Sequence, residues 1–183
     1  MTTTLSQIDI PVGTWTFDKA HTALSFVARH MMVTKVRGAF LSFDGTVDVA
    51  ENPAESKVTI EIETGSVSTG AADRDAHLIS PDFFDVGTYP NMRFVSTDIH
   101  QKNGKWRLTG DLTIKNITRP VTLDVSFEGS ETNPWGKAVA AFTATAEVNR
   151  EAWGLTWNVP LESGGLLVGK KVMLEIEAQL IRV

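Results

Sequence analysis

No cysteine occurs in the 183 residues. Disulfide scaffolds, Cys-zinc sites, thiolate nucleophiles and thiol redox chemistry are therefore excluded. Blocks of like charge are also missing. Lys and Arg number 17 against 22 Asp and Glu, a formal net charge of −5, and no basic run is long. Nonspecific nucleic-acid binding is left without an electrostatic footprint. No stretch approaches the ~20 apolar residues of a spanning helix. The start, Met1 to Ile10, lacks the basic residues and apolar core of a signal peptide, so a cytoplasmic location is expected. Without export, Asn116-Ile117-Thr118 matches a glycosylation acceptor by spacing alone. Repeats and low-complexity linkers are absent, so no domain boundary is seen. Hydrophobic residues make up 42%, enough to exclude disorder. The length suits one domain.

What dominates is alternation. Val58, Ile60 and Ile62 interleave with polar partners, as do Trp106, Leu108, Leu112 and Ile114. The same holds for Val121, Leu123, Val125 and Phe127, and for Val172, Leu174, Ile176, Ala178 and Leu180. Period two predicts strands with one dry and one wet face, the pattern of antiparallel sheets. Further strands fit around 14–18, 23–29, 36–50, 91–101 and 137–149, about nine in all. Asn103-Gly104 predicts a tight hairpin. Asp44-Gly45 predicts a bulge or bend within a long strand.

Helical signal is confined to Gly70–Ser80, with a second short turn expected from Pro81 through Asp85. Such short helices cannot cover nine strands. The sheet must bury its apolar face against itself, as a barrel or a sandwich. One face, Ala138, Ala140, Phe142, Ala144, Ala146 and Val148, is mostly alanine. Small inward side chains either let sheets approach closely or leave room for a ligand.

Candidate chemistry is sparse. Gly164 to Lys170 has Gly-x4-Gly-Lys spacing, but Lys171 replaces the magnesium-binding Ser or Thr and a strand follows instead of a helix, so a loop is expected. His21, His30 and His77 lack the local spacing of a zinc site. Arg74-Asp75-Ala76-His77 is the densest polar cluster. Three roles stay open for it: helix capping by Asp73 or Asp75 with Arg74 paired to a carboxylate, binding of a polar head group, or part of a triad with Ser66, Ser68 or Ser80. No Gly-x-Ser-x-Gly elbow accompanies it. Met31-Met32, Phe83-Phe84, Tyr89, Trp153 and Trp157 fall between strands, where they either plug a barrel end or wall a ligand site.

The chain resembles the YceI-like family, also described as polyisoprenoid-binding proteins. The resemblance rests on Trp15 to Thr22, Phe26, Arg29 to Val33, Val36 to Phe40 and Gly45. It continues through Ser66 to Gly70, Arg74 to Leu78, Asp82 to Val86, Tyr89-Pro90 and Phe94. Later matches are Gly110 to Ile114, Thr118 to Val121, Val148-Asn149-Arg150, Trp153-Gly154-Leu155 and Val168-Gly169. It spans residues 13–183 and leaves 1–12 as an N-terminal extension. Members are often exported, which the start of this chain does not match.

The resemblance implies an all-β fold: an antiparallel, lipocalin-like barrel of eight to nine strands with one or two short helices. It implies a long apolar pocket for an isoprenoid lipid, such as a polyprenyl species or isoprenoid quinone, and no established catalytic residues. The expected function is noncatalytic binding, storage or transport, with no cofactor or metal and with the lipid as partner. The alternative is an enzyme acting on a hydrophobic small molecule through Asp75 and His77. A homodimer is kept as a candidate assembly. His30, Arg74, His77 and Arg150 are expected at the pocket mouth, toward the ligand's polar end. Phe26, Met31, Phe83, Phe84, Ala140, Phe142, Ala144 and Trp153 are expected in its walls.

Overall fold

The computed structural model describes residues 8–183. The alternating segments form β1 (Gly13–Phe17), β2 (Ala23–His30), β3 (Thr34–Phe40), β4 (Phe43–Val49), β5 (Lys57–Glu63) and β6 (Val67–Ser68). After the helix α1 (Ala72–Ile79) come β7 (Asn91–Lys102), β8 (Lys105–Ile114), β9 (Ile117–Thr132), β10 (Ala138–Asn149) and β11 (Val168–Arg182). Short 3-10 turns occupy Pro53–Glu55, Thr64–Ser66 and Arg150–Trp153. The order β1-β4-β5-β7-β8-β9-β10-β11-β2-β3-β6 is closed by pairing of β1 with β11. Closure decides for a barrel over a sandwich.

The register shows a simpler plan. On β11, residues 180–182 pair with Phe17 to Trp15, and residues 172–177 pair with Ala28 to Ala23. So β1 and β2 lie end to end along one edge. Likewise β4 pairs with β1 while β3 pairs with β2, and β5 pairs with β4 while β6 pairs with β3. Eleven segments, joined in three such pairs, make eight long strands of an up-and-down barrel. The breaks adjoin one another. The Leu41 and Ser42 amides donate to the Ser66 carbonyl (3.2 Å) and Ser66 Oγ (3.0 Å), and the Glu63 amide donates to the Ser42 carbonyl (2.9 Å).

The expected strand 36–50 is therefore two strands, broken at Leu41-Ser42, and β4 runs through Asp44-Gly45 in unbroken register with β5, without the expected bulge. Gly45 lies inside β4 opposite Ile60, where a Cβ would sit 2.3 Å from the Thr59 carbonyl oxygen. Close backbone approach, not bending, requires glycine there. The hairpin at Asn103-Gly104 forms as expected, with φ of 53° and 77° at the two turn residues, the left-handed pair that matches strand twist. Helix α1 starts from Ala71, whose methyl side chain cannot cap it; Asp75, expected as a cap, instead accepts from the Thr69 amide and hydroxyl. Beyond it, the expected turn from Pro81 closes through amides of Phe83 and Asp85 on the Ser80 carbonyl.

Inside, Leu24, Phe43, Ile60, Phe94, Leu112, Val121, Leu123, Ala146 and Trp153 form the main core. Phe26 lies across Gly38, its cross-strand partner, and its ring occupies the place of a Cβ, 2.4 Å from the nearest ring carbon. One barrel end carries α1 and residues 150–167. The other carries residues 8–12, which we call the strap, and residues 50–56.

Gly38→Ala is expected to cost about 1–3 kcal/mol through overpacking against the ring. Pairing it with Phe26→Leu should recover part of that loss in a double-mutant cycle read by denaturant unfolding. Additive losses would contradict the contact.

Candidate functional site

The barrel encloses a cavity of about 370 Å³, within the size of small-molecule sites. Its lining is apolar apart from Ser25, Glu51, Ser56, Arg107 and Arg150. It runs almost the length of the barrel, from Ile8, Ile10, Val12 and Pro53 at the strap end to Phe26, Trp153 and Leu155 near α1.

The α1 end is closed. Trp153 and Leu155 are buried, and the Trp153 indole N–H donates to the Leu112 carbonyl at 2.9 Å. Arg150, 6% exposed, ties this closure to β11. Its Nε donates to the Gly169 carbonyl (2.9 Å), Nη1 to Leu155 (2.5 Å) and Nη2 to Val168 (3.3 Å). Its guanidinium also lies 5.9 Å from the centre of the Phe83 ring. Burial pulls the Arg150 pKa below the usual arginine value, with the Glu151 carboxylate opposing. Three of its five N–H donors are thereby spent on backbone carbonyls.

The strap end is where the lining meets solvent. Val12 is 47% exposed and Glu51 is exposed, while Ile8, Ile10, Pro53 and Ser56 are half-buried. The strap is held by three bonds to its carbonyls: from Ser130 Oγ to Asp9, from the Trp15 indole to Pro11, and from Arg182 to Val12. Part of the segment read as an extension thus forms cavity wall; its residues 1–7 lie outside the described residues.

Of the expected site residues, Phe26, Phe142, Ala144, Arg150 and Trp153 line the cavity. His30, Met31, Arg74, His77, Phe83, Phe84 and Ala140 do not. Ala140 was expected to leave room, but Trp15 and Leu180 pack over it and leave it 1% exposed. Arg74 Nε and Nη2 bind the Thr69 hydroxyl and carbonyl at 2.7 and 2.9 Å, not a carboxylate. His77 Nε2 lies 2.9 Å from Asp82 Oδ2, and its ring packs edge-on against Phe83 and Trp157. Phe84 packs on Phe40, and His30 and Met31 sit exposed at the β2–β3 turn. Asp75 is engaged by Thr69 and His77 by Asp82, so the two do not form a catalytic pair. Among the described residues, no group of three His, Asp or Glu is placed to hold a metal ion.

The profile of the YceI-like domain matches residues 15–180. The chain belongs to the YceI-like family. A UPF0312 protein of Staphylococcus aureus (strain USA300) is 39% identical over 167 residues, covering 90% of this chain and 95% of that protein. A UPF0312 protein of Staphylococcus epidermidis (strain ATCC 12228 / FDA PCI 1200) is 39% identical over 165 residues, covering 89% and 94%. Among solved structures, BcnA of Burkholderia cenocepacia aligns with a TM-score of 0.75 at 24% identity, covering 89% of this chain and 98% of that one. A polyisoprenoid binding domain from Saccharophagus degradans, implicated in plant cell wall breakdown, aligns at 0.65 with 12% identity, covering 92% and 98%. These two likenesses show the fold.

The first YceI-like stretch, Trp15 to Thr22, is structural in this barrel. It makes the break where β11 passes from β1 to β2. Gln179 of β11 donates through Nε2 to Asp18 Oδ2 (2.9 Å) and through its amide to Thr22 Oγ1 (3.1 Å). His21 Nδ1 lies 2.7 Å from Asp18 Oδ2. Burial raises the Asp18 pKa, but the bonds from His21, the Ala20 amide and Gln179, with the His21 charge, hold it below the usual value on balance.

A lowered carboxylate pKa stabilises the fold above the unfolded value, about 3.9, and the contribution fades as pH falls through the folded value. Asp18→Asn is expected to cost about 1–2 kcal/mol at pH 7. Its deficit against the parent should shrink as unfolding is measured at progressively lower pH below about 4. A deficit independent of pH would contradict the assignment.

Proposed function

We propose that the chain binds and carries a long-chain isoprenoid lipid, a polyprenyl species or isoprenoid quinone, and does no chemistry on it. The observation that carries this reading is the cavity: long, apolar, closed near α1 and in contact with solvent at the strap. Burial of apolar surface contributes roughly 25 cal/mol per Å², so a chain of about 20 carbons gains affinity without a hydrogen bond. The tail lies toward Trp153 and Leu155, and the polar end toward Glu51 and Ser56. The polyisoprenoid binding domain of Saccharophagus degradans supports the ligand class by its name and shared fold. With Asp75 bound to Thr69 and His77 to Asp82, the Asp75–His77 pair that an enzymatic reading needs does not form, and neither residue lines the cavity.

Native mass spectrometry of the purified protein, with lipid extraction, should find one long-chain molecule per chain. Ala144, which lines the cavity between its cross-strand neighbours Ile176 and Val125, is the position to fill. Ala144→Phe should fold and lose most of that ligand. Arg74→Ala and His77→Ala should retain it, since neither residue lines the cavity. Turnover of a hydrophobic substrate by the parent, abolished in His77→Ala, would overturn the reading.

A further inference from the structure

The turn between β9 and β10 is Asn133-Pro134-Trp135-Gly136-Lys137, and it lies at the strap end. Trp135 is 84% exposed, the most exposed large apolar side chain among the described residues. The turn that holds it is well braced. Asn133 Oδ1 accepts from the Trp135 and Lys137 amides (3.1 and 2.9 Å), the Asn133 amide donates to the Lys137 carbonyl (2.8 Å), and the Gly136 amide donates to the Asn133 carbonyl (2.9 Å). The β9–β10 ladder also runs on beyond the last β8–β9 pair at Val125, as far as Thr132 paired with Ala138. The indole is thus presented to water, by a turn that fixes its backbone, at the end of a hairpin that outruns β8 on one side and stays paired with β11 as far as Val139 on the other.

We propose that the strap end docks on the surface of a lipid bilayer, with Trp135 seated at the headgroup level. The proposal rests on the lipid-carrying reading. Tryptophan suits a boundary with one side apolar and the other wet. The same barrel end holds the solvent-facing cavity lining, so docking turns that lining toward a store of long-chain ligand. Val12, 47% exposed, adds apolar surface on the strap itself. Continuing the β10–β11 register past Val139 and Ile181 sets Val183, 79% exposed, level with Lys137. The charges at this end are mixed, which suits a neutral surface: Glu51, Glu55 and Glu131 stand with Lys102, Lys105, Lys137 and Arg182, all exposed. No helix among the described residues is long and apolar enough to cross a membrane. One aromatic anchor gives weak, reversible attachment, as a carrier that must leave again requires.

The test is co-flotation of the full chain with phosphatidylcholine vesicles. The parent should float; Trp135→Ala should weaken its partitioning about tenfold or more, from the indole area no longer buried. Trp135→Phe should keep much of it, and Val33→Asp, at the exposed β2–β3 turn of the opposite end, should keep all of it. Flotation of Trp135→Ala equal to the parent, or loss in Val33→Asp, would overturn the proposal. So would a parent dimer in light scattering that Trp135→Ala splits, because the tryptophan would then serve a second copy. Uptake of a fluorescent polyene fatty acid delivered from ethanol separates this from the underlying reading. Parent and Trp135→Ala should fill equally. If the parent takes up none, the cavity reading itself fails; equal filling with unchanged flotation removes only the docking.

Discussion

The fold depends on how β11 divides its free edge. Along one side it pairs with β10 from Lys171 to Ile181; along the other it pairs first with β2 and then with β1. The junction is held by Gln179, whose amide and side chain reach Thr22 and Asp18 across the gap between those strands. Without that transfer the sheet would stay open, with exposed edges and an unburied apolar face. With it, every strand turns its apolar residues inward, and the interior becomes a cavity wherever side chains are too small to meet.

Where they meet is decided by a few large residues. Trp15, fully buried, fills the space over Ala140 and Leu180. Trp153, fixed to the Leu112 carbonyl, and Arg150, fixed to three carbonyls, close the α1 end. Between these two fillings Ala144 and Ala178 leave the wall thin, and the strap borders the opening. The closed end and the solvent-facing end thus follow from packing.

Much of this was legible in the sequence, because period-two alternation survives whatever strands pair. Asn103-Gly104 announced its hairpin, and scarce helix left the sheet nothing to pack on but itself. The strand break at Leu41-Ser42 was not legible: neither residue is a turn former of the strength of Asp44-Gly45, which draws the eye and serves close packing instead. Ala140 and Ala144 share one alternation phase, so only the distant Trp15 distinguishes the filled position from the open one. The part Arg150 plays in closing the α1 end shows only when Leu155, Val168 and Gly169 turn their carbonyls toward it. The strap was not legible either, because Ile8, Ile10 and Val12 alternate outside any strand.

The central claim is that a long-chain amphiphile lies in the barrel with its tail toward α1. A crystal structure of the protein loaded with a polyprenyl amphiphile brominated at its tail terminus tests it directly. The account requires an anomalous bromine peak inside the barrel beside Phe26, Trp153 and Leu155, with chain density leading toward Val12 and Pro53. A peak at the strap end, or one outside the barrel beside Arg74 and His77, would contradict it.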